Sequence, residues 1–119
     1  MVRVQEEEQN NQPLTNLNVG GFFYLTMYYI YILYSETHDR YYVGYTSDVF
    51  RRLEEHNTNS RMTYTHKFGP WKLKTYFEVG ENRAAAMKIE KYIKKQKSRK
   101  LIERLINEPG LFGQIAQLV

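Results

Sequence analysis

Residues 28–45 read YYIYILYSETHDRYYVGY, two aromatic and β-branched runs around one polar break. Side chains of this kind favour extended backbone, where branching and rings pack well on a pleated surface. The first run, 28–34, is apolar throughout and reads as a strand buried on both faces. SETHDR supplies a polar turn, and YYVGY (41–45) returns as the second arm of a hairpin. A sheet that begins this way must be covered by other elements, which leads to an α+β chain.

The rest of the sequence supplies the cover. Thr46 or Ser47 can cap a helix that starts near Asp48 and runs to about His56, with NTNS ending it. WKLKTYFEV (71–79) alternates, which places Trp71, Leu73, Thr75, Phe77 and Val79 on one face and Lys72, Lys74, Tyr76 and Glu78 towards water. Asn82 can cap a helix over about 83–96, and Ser98 can cap another, RKLIERLI, stopped before Pro109-Gly110. The order ββαβαα predicts a small three-stranded sheet flanked by helices, with a domain over 27–107 and an apolar C-terminal tail over 108–119. The tail carries no clear period.

Residues 1–26 are polar and amide-rich, with a composition that buries too little surface to order itself. This leader is read either as an extension ahead of a start at Met27 or as a flexible tail. Residues 9–35 lack charge, but the apolar part, VGGFFYLTMYYIYILY, is only 16 residues long and holds five tyrosines and two glycines. A spanning helix needs about 20 mostly aliphatic residues, so a membrane segment is not expected. The glutamates upstream likewise fit no secretory signal.

Length and charge bound the function. The 119 residues make one domain, and the absence of cysteine removes disulfides, thiolate metal sites and thiol nucleophiles, which suits a reducing cytoplasm. The net charge of +4 divides unevenly: Arg3 against Glu6, Glu7 and Glu8 leaves −2 in the leader, so residues 27–119 carry +6. A basic domain points to a polyanionic partner.

Three positions stand out against bland packing. On the helix at 49–56, Val49, Phe50 and Leu53 give the apolar direction and Arg51 points away from it. Arg52 and His56 flank that stripe on one side, one turn apart. Arg52 is either a snorkelling side chain or a guanidinium aimed at an anion, and His56 alone reads as structural. On the helix at 83–96, Ala86, Met87 and Ile93 mark the buried stripe with Glu90 in its middle. A carboxylate there is costly unless paired, as with Lys94 four residues on, or bound to a metal. In the strands, Tyr31 shares a face with Tyr29 and Leu33, and Tyr42 shares one with Gly44. If the two faces coincide, two phenols converge where Gly44 leaves room beside the backbone.

Tyr29-Ile30-Tyr31, then Tyr42-Val43-Gly44, Arg52, His56 and Glu90 together resemble the GIY-YIG endonuclease superfamily, above all its small single-domain bacterial members. These in turn are similar to the catalytic domain of the excision-repair incision subunit. The resemblance spans about residues 27–107 and includes TSDVFRRLEEHN and AAAMKIEKYIKKQKSRK. It implies a three-stranded antiparallel sheet flanked by helices and a Mg²⁺-dependent endonuclease, with Mn²⁺ as substitute. By the same resemblance Tyr42 activates the attacking water, and Tyr31 supports it and orients the phosphate. Arg52 stabilises the phosphoryl charge, Glu90 binds the metal, and His56 lies near the scissile phosphate. Tyr29 stands where the family name has glycine, Tyr45 where some members carry a lysine, and Ile102 where some carry an asparagine.

Residues 83–104 hold nine basic side chains against Glu90 and Glu103. A solvated helix face is the ordinary account of such a run. Beside a phosphodiester site, Lys91, Lys94, Lys95, Lys97, Arg99 and Lys100 become candidate contacts to a nucleic-acid backbone. No element suited to a major groove stands out, so the expectation is DNA recognised by shape, branching or single-stranded junctions, in repair or recombination. Two other readings use the same residues: a catalytically weak nucleic-acid-binding module, and an interaction domain in which Glu90 only pairs and the tyrosines only pack.

Overall fold

The computed structural model describes residues 2–3, 18–19, 22–23, 25–58 and 63–119. Most of the leader expectation for residues 1–26 lies outside them. What is described there is three two-residue strands, β1 (Val2–Arg3), β2 (Asn18–Val19) and β3 (Phe22–Phe23), and the approach to the first long strand. Then follow β4 (Tyr28–Ser35), β5 (Arg40–Thr46), α1 (Val49–Thr58), α2 (Thr63–Phe68), β6 (Lys72–Gly80), α3 (Arg83–Gln96), α4 (Arg99–Asn107) and α5 (Gly110–Leu118).

The three long strands form an antiparallel sheet with β4 in the middle, β5 on one side and β6 on the other. β1 adds a short parallel pairing along the outer edge of β5, and β2 pairs with β3 separately. The central position of β4 explains its unbroken apolar run, since both of its faces are covered. One face packs Ile30, Ile32, Val43 and Tyr45 against α3, α4 and α5; the other packs Tyr31, Leu33 and Tyr42 against α1 and Trp71. The polar break closes the hairpin, with Ser35 opposite Arg40 and Asp39 in the left-handed region, which a short acidic side chain tolerates. Asp39 then accepts hydrogen bonds from Tyr34 (2.6 Å) and from Arg99 of α4, tying the turn to the helical layer.

β6 departs from the simple alternation. A bulge lies where Ile32 pairs with Thr75 but Leu33 pairs with Leu73, so one extra residue enters β6. The side-chain phase reverses there. Phe77 and Val79 join the α3–α5 face, whereas Trp71 and Leu73 join the α1 face. The single face expected for Trp71 to Val79 is therefore split between two cores.

The helix ends mostly follow their caps. The Asn82 side chain accepts from the Ala85 N–H and that of Ser98 from the Leu101 N–H, as expected. For α1 the cap is Asp48 itself, whose Oδ1 accepts from the Arg51 N–H at 3.1 Å, while Thr46 Oγ1 accepts from the Asp48 N–H. Two helices had no counterpart in the sequence reading. α2 is a single short helix, and its Thr65 carbonyl accepts from the Trp71 indole. α5 arises from the tail: Phe112 and Ile115 are buried, and the Phe112 ring stacks on Phe77 at 5.2 Å. The tail therefore contributes to the core, and Pro109-Gly110 marks the start of α5 as much as the end of α4. Among the described residues no helix is long and apolar enough to cross a membrane.

Because each cap satisfies one orphan backbone donor, Asn82→Ala and Ser98→Ala should each cost about 1 kcal/mol. A lower midpoint with an unchanged slope in urea unfolding is the expected outcome.

Candidate active site

The site is built where β4, β5 and α1 meet. Tyr31 lies directly across from Gly44 in the β4–β5 register, and its phenol lies over the glycine. A Cβ at residue 44 would stand 2.4 Å from Tyr31 Oη, so only glycine admits this ring. Tyr31 Oη is hydrogen-bonded to His56 Nε2 at 2.9 Å, a buried contact that spans 25 residues of chain. Tyr42 packs beside both, with its ring centroid 6.1 Å from Tyr31 and 4.4 Å from His56. Trp71 closes the far side of Tyr42 at 6.0 Å. Asn57 holds Trp71 in place by donating to its carbonyl and accepting from its N–H.

Two charges act on this aromatic group. The Arg52 guanidinium lowers the pKa values of both Tyr42 and His56, and the Glu90 carboxylate raises that of Tyr42. Of the residues picked from the sequence, Tyr31, Tyr42 and His56 thus pack together, and Arg52 and Glu90 lie near enough for their charge to act on Tyr42. Burial dominates their chemistry. It drives the Tyr42 phenol far above its usual range, with Tyr31 adding to the effect, so Tyr42 holds its proton. Burial also pushes His56 down to about 3, helped by Arg52, so its ring is neutral. Among the described residues, the buried Tyr42 Oη and His56 Nδ1 meet no hydrogen-bond partner within ordinary distance. Buried polar atoms in that state are uncommon in stable cores and mark places where a further group can be received.

Both charged residues are also engaged within the protein. Arg52 Nη1 meets Glu55 Oε1 at 3.1 Å, and Glu90 Oε1 meets Lys94 Nζ at 3.3 Å. Glu90 and Lys94 are 7% and 3% exposed, so the i,i+4 account of Glu90 holds as geometry. Burial lowers the Lys94 pKa, and Glu90 partly restores it. Among the described residues no three histidine or acidic side chains gather as a metal cage. A divalent cation here would have the Glu90 carboxylate as its protein ligand, completed by water and substrate oxygens, a donor set that suits a hard ion such as Mg²⁺.

Several sequence expectations need correcting. Met87 is exposed, and Ile89 takes its place in the buried stripe of α3, because the face of the helix centres on Ala86, Ile89 and Ile93. Phe50 is 66% exposed and turned to Tyr76, not to the core. Lys94 cannot serve as a backbone contact from the surface, since it is buried on Glu90. Arg99 is held by Asp39 and Glu103 and lies over the Tyr41 ring, which ties it to the fold. Lys91, Lys95, Lys97 and Lys100 remain exposed. Trp71 and Asn57 were missed as site residues. The lone tryptophan at the head of β6 was a signal for the first, but nothing near Asn57 pointed to its role.

A model of the GIY-YIG catalytic domain matches residues 27–103. The chain belongs to the GIY-YIG catalytic-domain family. Membership implies a nuclease whose substrate is nucleic acid. Relatives include a UPF0213 protein of Clostridium perfringens, 41% identical over 69 residues, 58% of this chain and 72% of that one. A UPF0213 protein of Listeria welshimeri is 46% identical over 68 residues, 54% of this chain and 74% of its own length. One from Streptococcus pyogenes is 40% identical over 72 residues, covering 60% and 75% respectively. No solved structure matches.

Two outcomes test the geometry. Gly44→Ala forces the Tyr31 ring from its seat and should cost about 1–3 kcal/mol, read by denaturant unfolding. His56 is neutral when folded but titrates at its ordinary 6.5 when unfolded. Above pH 6.5 it therefore adds no pH dependence. As the pH falls from there towards 3, the unfolded chain takes up the proton first and stability drops, by up to about 1.4 kcal/mol per pH unit. His56→Gln should remove that slope between pH 6.5 and 5, above the range where the carboxylates titrate.

Proposed function

We propose that this GIY-YIG family member is a Mg²⁺-dependent endonuclease that hydrolyses DNA phosphodiester bonds, chooses its substrate by structure and not by sequence, and works in repair or recombination. The observation that carries the reading is the convergence of Tyr31, Tyr42, Arg52, His56 and Glu90 within the matched domain. Mn²⁺ is the expected substitute metal.

In-line attack of water on phosphorus breaks the P–O bond on the opposite side and builds negative charge on the non-bridging and leaving oxygens. Arg52, reaching the cluster from α1, is the group placed to offset the non-bridging charge, provided that it exchanges Glu55 for phosphate. Glu90 would hold the metal, whose chemistry is to offset the leaving-group charge. Tyr42 activates the attacking water through its hydroxyl, and Tyr31, fixed by His56, orients the phosphate. A base works best with a pKa near the operating pH. Desolvation is the leading cause of both shifts, upward for Tyr42 and downward for His56. Water admitted with the substrate offsets that desolvation, and Tyr42, ionised beside Arg52, would take the proton of the attacking water while the leaving 3′ oxygen takes one from solvent. The products are a 5′-phosphate and a 3′-hydroxyl. Lys91, Lys95, Lys97 and Lys100 supply contacts to the strand backbone.

One observation favours a second reading, a nucleic-acid-binding module with weak catalysis. Lys94 already occupies an oxygen of Glu90, and Glu55 already occupies Arg52. The two readings differ in a cleavage assay on flapped, branched and plain duplex DNA with Mg²⁺ or Mn²⁺. For the enzyme, Arg52→Ala and Glu90→Gln should each lower the cleavage rate about 10²–10³-fold while leaving DNA bound. Binding by the parent protein without cleavage of any substrate selects the module. Binding that ignores salt removes the phosphate contacts from both.

A further inference from the structure

Beside the convergent cluster lies an aromatic group that no step above uses. Tyr29 precedes Tyr31 by two residues on the same face of β4, and Tyr76 is the cross-strand partner of Tyr31 on β6. Phe50 comes from the first turn of α1. The Tyr76 ring meets Tyr29 edge-on at 6.0 Å and Phe50 edge-on at 6.2 Å. With Ser47, Asp48 and Val49 these three line a cavity of about 180 Å³. Val49 in the lining is buried, while Phe50 and Tyr76 are 66% and 47% exposed.

We propose that this cavity is a stacking subsite for one unpaired nucleobase in a single-stranded stretch of nucleic acid, next to the bond to be cut. The proposal rests on the nuclease reading of the Tyr31 cluster and names the substrate feature that this site selects. Size is the first argument. Pockets for drug-sized ligands span roughly 300–1,000 Å³, so this smaller hollow takes one flat ring. Shape is the second. Rings set edge-to-face leave π-faces open, and a base of any identity can stack on them. Charge is the third. The Asp48 carboxylate lines the cavity, with Oδ1 held by the Arg51 N–H and Oδ2 3.9 Å from Arg51 Nε, so the lining favours a neutral ring over a phosphate.

Position is the fourth argument. Two residue steps along β4 carry Tyr29 about 6.6 Å from Tyr31, so a base seated here belongs to a nucleotide beside the attacked phosphate. A base inside a duplex has both faces covered by its neighbours and cannot enter without leaving the stack, at a cost that an unpaired base does not bear. The subsite therefore favours flaps, gaps and single strands over intact duplex.

The test uses the full chain in EDTA, where no strand is cut, and short single-stranded DNA and RNA carrying 2-aminopurine. Binding should change the 2-aminopurine fluorescence, and the double variant Phe50→Ala/Tyr76→Ala should weaken single-strand binding about 5- to 150-fold, the range that one stacked base supplies. Binding of intact duplex should stay as in the parent. Both side chains are exposed, so the variant should keep its melting temperature, and Tyr76→Phe, which retains the ring, should keep single-strand affinity. The DNA and RNA arms decide which strand the site prefers. Unchanged single-strand affinity in the double variant overturns the subsite. So does a result in which the variant loses only self-association at high concentration, which would give the aromatic face to a second copy. Cleavage with no stacking effect removes the subsite and leaves the nuclease; stacking with no cleavage removes the nuclease and leaves the subsite.

Discussion

The contact on which the site depends is the Tyr31 phenol lying over Gly44 with its hydroxyl on His56. It joins three elements that are far apart in sequence, and each member fixes the others. Without the glycine, the ring has no seat on β5. Without the ring, His56 would be a buried imidazole with neither nitrogen bonded, a state that costs the desolvation of two polar atoms. His56 in turn sets the rotation of α1, and that rotation delivers Arg52 to the same place. A polar interaction inside a core is tolerable only when its geometry is tightly held, and here a missing side chain provides the geometry.

The sheet keeps two jobs apart. Towards α3, α4 and α5 it presents an apolar surface of Ile30, Ile32, Val43 and Phe77, the ordinary source of stability for a domain of this size. Towards α1 it presents Tyr31, Tyr42 and Trp71, the two tyrosines meeting His56 of α1, and their polar atoms would be wasted in a plain core. The bulge in β6 makes the division possible, because it turns Trp71 to the second face while leaving Phe77 on the first. Trp71 then walls off Tyr42, and much of the phenol's high pKa follows from that burial.

Charge is arranged with similar economy. The long basic run from Arg83 to Arg104 reads as one surface, but the fold divides it. Lys94 turns inward to neutralise Glu90, and Arg99 binds the hairpin turn to α4, while Lys91, Lys95, Lys97 and Lys100 stay in water. A buried carboxylate needs a cation nearby. Lys94 meets that need within the chain.

Much of the chain was legible from local rules. The strands at 28–35 and 40–46, the helices at 83–96 and 99–107 and their caps all follow from side-chain preference and period, which are properties of neighbouring residues. The gathering of Tyr31, Tyr42, Arg52, His56 and Glu90 was legible only as separate oddities on separate elements, joined by a family resemblance. Three things were decided by tertiary structure alone: the bulge that splits β6, the outward turn of Phe50, and the folding of the tail into α5. Each depends on what a distant element offers as a partner, such as Tyr76 for Phe50 and Phe77 for Phe112. Local sequence determines which backbone a segment prefers, but the face it buries is set by contacts between segments.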